Sequence, residues 1–175
     1  MNVAVGGSAV ALACDRLLEG GRPLTPGMRA SARFDSERVF SSGAYVAGVE
    51  IERATGRLHV LWIVAVDDAG TIINPLLAHG QVVGGVVQGL GECLIEEAGG
   101  VTLMDYRLLT AADVPPILTG EVSSPTPLNP LGAKGIGEGG AIGTLPAVAN
   151  AVVDALGGRH VDPPFTDEKL RAALQ

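Results

Sequence analysis

Positive charge is scarce in this sequence and nowhere concentrated. Lys and Arg number 12 against 19 Asp and Glu, a formal net charge of −7. Without a Lys/Arg cluster there is no surface to track phosphates, so nucleic-acid binding is excluded as a function class. Only two cysteines are present, Cys14 and Cys93. That is too few for a disulfide framework or a zinc site, and it fits a reducing, cytoplasmic compartment. Aromatic residues make up 3% of the chain, so its 47% hydrophobic content is mostly Ala, Val, Leu and Ile. A charged fraction of only 18% beside that aliphatic content argues against disorder and for a buried core.

Two apolar stretches lack what a membrane or export role needs. Residues 2–14 (NVAVGGSAVALAC) end in a Leu-Ala-Cys step but have no basic n-region, so a signal peptide is disfavoured. Residues 76–95 (LLAHGQVVGGVVQGLGECLI) reach membrane length, with GxxxG spacings at Gly80/Gly84 and Gly85/Gly89. His79, Gln81, Gln88 and Glu92 interrupt the stretch, and each is costly in hydrocarbon. The pattern predicts a buried helix packed against backbone or ligand, and no membrane span.

Local signals give the organisation. A helix is predicted from about Gly7 to Glu19, with Ser8 as a cap and Gly20-Gly21 as its stop. Residues 44–52 and 58–66 read as two strands of a hairpin with Gly56 in the turn, and Asp67, Asp68 and Gly70 as turn-formers beyond it. Asn74-Pro75 caps and opens a helix running to about Glu97, stopped by Gly99-Gly100. Residues 101–110 are expected as a strand, and the proline-rich 111–131 as an irregular extended path. Thr144-Leu145-Pro146 opens a helix to about Leu156, closed by Gly157-Gly158, and a short helix follows Thr166. The fold class is therefore α+β, with helices packed on a small mixed or antiparallel sheet in one module spanning 1–175.

What the chain has in excess is glycine: 25 residues, against roughly 12 at a ~7% average usage. Five fall between Gly80 and Gly91 and six between Gly132 and Gly143, where backbone must approach something closely or turn sharply. The second cluster, GAKGIGEGGAIG, holds a formal GxGxxG at Gly135, Gly137 and Gly140. The preceding PTPLNPLGAK is no strand, so a dinucleotide fingerprint is disfavoured. Within this cluster Glu138 stands alone between Glu121 and Asp154 with glycines on either side. It reads either as a base reaching a reacting centre in a tight site or as an exposed loop Glu. Lys134 either lowers that carboxylate's pKa or points at solvent. Gln81 can donate to and accept from a heterocycle, with Gln88 on the same face, or can join close-packed helices. His59, His79 and His160 have no metal-ligand spacing, so no protein metal ligand is assigned.

Three segments taken together resemble a known family. They are GAYVAGVEIERATGRLHVLWIVAVDDAGTIINPLLAHGQVVGGVVQGLGECLIEE, DYRLLTAADVPPI and GAKGIGEGGAIGTLPAVANAVVDAL. In order and spacing they are similar to the C-terminal part of the molybdenum-binding large subunit of the xanthine dehydrogenase/aldehyde oxidase family, in its bacterial aldehyde oxidase and carbon-monoxide-dehydrogenase-like branch. The resemblance implies a molybdenum hydroxylase that oxidises an aldehyde or N-heterocycle with water as oxygen source. Glu138 would be the general base, Gln81 would hydrogen-bond the pyranopterin, and the backbone at Ile136 would lie against it. The glycine clusters would be backbone approaching the pterin and its nucleotide tail. The cofactor implied is molybdopterin, in its cytosine dinucleotide form, with the metal held by the pterin dithiolene. Family large subunits are several times longer. The chain is thus expected to be a split C-terminal piece or a fragment, inactive alone. Its expected partners are the remaining part of the large subunit, an iron–sulfur subunit with [2Fe–2S] centres and a flavin subunit with FAD. The competing expectation is a non-catalytic cofactor-binding or assembly subunit that kept the fold.

Overall fold

Alternating apolar residues in two adjacent runs pair with each other across a short turn. In the computed structural model, which describes residues 3–19, 23–35, 37, 39–97, 99 and 102–175, β1 (Ser42–Ile51) and β2 (Leu58–Asp68) form an antiparallel hairpin. Gly56 turns it with φ +82°, a conformation that suits a residue without Cβ. The register shifts between Gly48 and Val49, where the Trp62 indole fills the space a Gly48 side chain would need. Both strands run as predicted, with β2 continuing through Asp67 and Asp68, so these two residues are strand residues rather than turn-formers.

The third strand is not where the pattern placed it. Among the described residues of 101–110 there is no strand; Asp105 and Tyr106 instead fold back onto the Thr102 carbonyl, both at 3.0 Å. The strand is β3, Ile117–Val122, parallel to Ile63–Asp68 of β2. Pro115-Pro116 holds the chain extended, and the Pro116 carbonyl accepts the Ile63 amide at 3.1 Å, which starts the pairing. The sheet, ordered β1-β2-β3, is therefore mixed.

Helix α2, Pro75–Leu94, opens as expected, with Asn74 Oδ1 accepting the Leu77 amide at 3.1 Å and proline in the first turn. It ends at Leu94, three residues short of Glu97. There the Ile95 and Glu96 amides both close on the Gly91 carbonyl and the Tyr106 hydroxyl ties down Glu96 at 2.8 Å. Helix α3, Gly139–Ala155, starts five residues before Thr144, so Pro146 lies inside it. Its end matches expectation: Gly157 (φ +68°) and Gly158 (φ +94°) donate to Asp154 and Val153, the paired bonds of a Schellman stop.

At the chain start a π-helical turn, Val3–Gly7, runs into α1, Ser8–Glu19. Ser8 is not a cap, because its buried hydroxyl donates back to Ala4 O at 2.6 Å. The expected stop at Gly20-Gly21 lies outside the described residues, as does Gly100. α4, Asp167–Ala173, follows its Thr166 cap as predicted.

The core lies between one face of the sheet and α2 and α3. Ile63 and Ala65 meet Val86, Leu90 and Cys93 of α2 and Val148 and Val152 of α3, with Phe165 and Leu170 closing the end. This is the α+β arrangement expected, helices on a small mixed sheet. Among the described residues no helix is long and apolar enough to cross a membrane.

Candidate functional site

The glycine clusters divide into two jobs. A methyl built on Gly85 would lie 2.9 Å from Gly140 Cα, and one on Gly140 would lie 2.5 Å from the Val82 carbonyl. Gly89 is equally close to Ala141 O and Thr144 Cβ, both at 2.9 Å. These glycines bring α2 and α3 into backbone contact and are unavailable to a ligand. Their contact also explains the early start of α3, since the close approach at Gly140 outweighs glycine's poor helix propensity. By contrast, methyls on Gly80, Gly84 or Gly137 would meet nothing within 4 Å. Gly80 and Gly84 lie one turn apart on the exposed side of α2 and form a smooth backbone shelf.

Gln81 projects from the same side of α2, and its Nε2 donates to the Gly137 carbonyl at 2.9 Å. The amide therefore joins the helix to the loop carrying Glu138, while Oε1 and the second N–H remain for another partner. Gln88, seven residues on, is also exposed. Ile136 turns its side chain toward the core, which anchors the loop at its midpoint. Glu138 is exposed at the first position before α3, and its side chain makes no capping bond to the helix. The structure thus brings Gln81, Ile136 and Glu138 together around the Gly137 carbonyl.

The loop is held rigidly from the other side. The Lys134 amide donates to Ala69 O at 2.8 Å, and Gly132 O accepts from Thr71 and Thr126 at 3.0 and 3.1 Å. Buried Asn129 brackets Ala133, donating to its carbonyl at 2.8 Å and accepting its amide at 3.2 Å. Lys134 Nζ pairs with Asp68 Oδ2 at 2.8 Å, not with Glu138, so the tuning role considered for it is corrected. That ion pair, with the amides of Gly70 and Ser124 on the other carboxylate oxygen, holds Asp68 well below the usual carboxylate range.

Asp67 and Tyr45 form a second polar pair that sequence reasoning missed. The Tyr45 hydroxyl donates to Asp67 Oδ2 at 2.6 Å, and Asp67 is 4% exposed. Burial, then the bond and charge of Asp67, push the phenol's pKa up, so Tyr45 stays a donor. The two residues and Glu138 line a cavity of about 420 Å³ with Phe40 and Gly143 on its walls. A larger cavity, about 920 Å³, lies at the other end of β2 beside Arg57 and Arg107 and includes none of these residues. Cys93 is sealed in the core, where burial pushes its thiol up to about 12 and leaves it chemically inert. Among the described residues no group of three or more His, Cys, Asp or Glu is arranged to hold a metal ion.

Comparison with known proteins gives a consistent answer. Residues 25–115 match the molybdopterin cofactor-binding domain family. The carbon monoxide dehydrogenase large chain of Hydrogenophaga pseudoflava is 37% identical over 164 residues, 87% of this chain and 20% of that protein. The nicotine 6-hydroxylase large subunit of Paenarthrobacter nicotinovorans is 37% identical over 162 residues, 86% of this chain and 20% of that protein. Among solved structures, the aldehyde oxidoreductase of Desulfovibrio gigas superposes with a TM-score of 0.87 at 26% identity, covering 98% of this chain and 23% of that one. The chain thus spans about a fifth of the length of the curated relatives it matches.

Proposed function

Since the chain belongs to the molybdopterin cofactor-binding domain family, as part of the molybdenum-binding large subunit of the xanthine dehydrogenase/aldehyde oxidase family, we propose that it forms one side of a molybdenum hydroxylase active site. The observation that carries this reading is the open shelf of Gly80 and Gly84, flanked by Gln81 bonded to the carbonyl next to Glu138. A flat pterin needs backbone without side chains in its way and an amide with free hydrogen-bonding capacity beside it, and both are present. Gln81, through Oε1 and its spare N–H, and the backbone at Ile136 would hold molybdopterin in its cytosine dinucleotide form. The chemistry supplied by the group when bound is two-electron oxidation with water as the oxygen source. Glu138 accepts, on a carboxylate oxygen, the proton released as that oxygen attacks the carbon of an aldehyde or N-heterocycle. Gln81 fixes the loop that presents Glu138, and the Lys134–Asp68 pair fixes its other flank.

The rest of the large subunit completes the substrate pocket in this reading, so the chain alone does not turn over. Partner subunits in the cytoplasm would hold [2Fe–2S] and FAD, groups that can accept the electrons. The test is what co-purifies with the native chain. Molybdenum, iron and larger subunits in stoichiometric amounts are expected; a metal-free monomer with full activity contradicts the reading.

A further inference from the structure

A helix start leaves amide N–H groups without intrahelical partners and carries roughly half a positive charge, which a side-chain oxygen at the capping position ordinarily answers. At α3 that position is Glu138, and its side chain makes no such bond. A different carboxylate lies beside the first residue of the helix. Asp67 Oδ1 lies 3.1 Å from where a Gly139 Cβ would sit, and the Tyr45 hydroxyl oxygen lies 3.7 Å from the same point. Room for it is made on both sides. A methyl on Gly43 would come to 2.6 Å from Asp67 Oδ1, and one on Gly143 would enter the Tyr45 ring. Glycines at 139 and 143, one turn apart, thus give α3 a flat first turn that seats directly on the Tyr45–Asp67 pair.

The electrostatics point the same way. A carboxylate this buried with a single phenol as partner is costly unless positive potential lies near it. None of the ion pairs found among the described residues involves Asp67, and the neighbouring Lys134 is engaged by Asp68. The N-terminus of α3, beginning at Gly139 beside Asp67, carries positive potential.

We propose that Asp67, oriented by Tyr45, stabilises the start of α3 through its charge, in place of a cap from Glu138, and is a positioning residue that leaves the Glu138 carboxylate free for proton transfer. The inference rests on the reading of Glu138 as general base. It accounts for Gly139 and Gly143, which seat the first turn of α3 on the pair beneath it.

The test uses the assembled molybdenum enzyme containing this chain, with Tyr45→Phe, Asp67→Asn and Glu138→Gln prepared side by side. Amide hydrogen exchange across residues 139–142, molybdenum and pterin content, kcat and KM are measured on each. Loss of the Asp67 charge should speed exchange in this turn roughly 2- to 30-fold in Asp67→Asn, and by less in Tyr45→Phe, which removes one hydroxyl and retains the fold. The value of kcat per molybdenum should fall with it, while KM and cofactor content stay unchanged. Unchanged exchange in both variants overturns the inference. So does a loss of cofactor content with kcat per molybdenum intact, since that marks a packing role only. Wild-type turnover in Glu138→Gln instead overturns the base assignment itself, an outcome separate from either result at Asp67.

Discussion

Replacing Gly84 and Gly85 by alanine, one at a time, should move stability in opposite directions although the residues are adjacent. At Gly84 a methyl meets nothing within 4 Å, so the change removes only glycine's conformational penalty in a helix, about 0.5–1 kcal/mol in favour of the variant. At Gly85 the methyl arrives 2.9 Å from Gly140 Cα and 3.0 Å from the Ala141 amide nitrogen. Ordinary carbon contacts lie at about 3.5–4.0 Å, so α3 must retreat by roughly 0.6–1 Å. Both obstacles are backbone, and no rotamer change can absorb the clash. Overpacking of this kind costs about 1–3 kcal/mol, and the propensity gain offsets only part of it. The propensity gain is common to both, so the two variants should differ by the overpacking cost, about 1–3 kcal/mol. Urea unfolding followed by the fluorescence of Trp62, the single tryptophan, measures the difference. The Gly84 methyl also stands on the shelf assigned to the pterin, so the same variant should lower pterin content in the assembled enzyme while the fold gains stability. A destabilised Gly84→Ala, or a neutral Gly85→Ala, refutes the division of the glycines.

The Asp68 carboxyl is depressed in the folded chain, so it binds fewer protons there than when unfolded. Its contribution to stability is present above the unfolded value of about 4 and is lost as pH falls toward the folded one. Asp68→Asn should flatten the acid limb of a stability-versus-pH profile below about pH 4, and an unchanged limb would contradict the role given to the Lys134 pair. Asn74→Ala removes the bond to the Leu77 amide and should cost about 1 kcal/mol in urea unfolding, with no change in cofactor content.

Elements with local signals were legible in the sequence. The hairpin around Gly56, the Asn74-Pro75 helix start, the Gly157-Gly158 stop and the Thr166 cap each depend on residues within a few positions of one another. The elements that escaped depend on distant partners. β3 is a short run behind two prolines and exists because the edge of β2 at Ile63–Asp68 accepts it. α3 begins at Gly139 because Gly140 fits against Val82 and Val86 of α2, a contact no helix propensity encodes. The site followed the same rule. Glu138 and Gln81 stood out by their glycine surroundings, and family resemblance supplied the roles expected of them. The Gln81–Gly137 bond, the Lys134–Asp68 pair and the Tyr45–Asp67 pair join residues 56, 66 and 22 positions apart, and only the folded chain brings them together. The double Asp at 67–68 was the available signal, and a turn explained it equally well until both residues proved to be in a strand.

The most direct test of the account is the turnover of Glu138→Ala in the assembled enzyme, expressed per molybdenum. With cofactor content near normal, a lost general base should lower the rate by about 10²–10⁴ across a panel of aldehydes and N-heterocycles. Wild-type turnover at full molybdenum occupancy would contradict the assignment of Glu138, and with it the central claim.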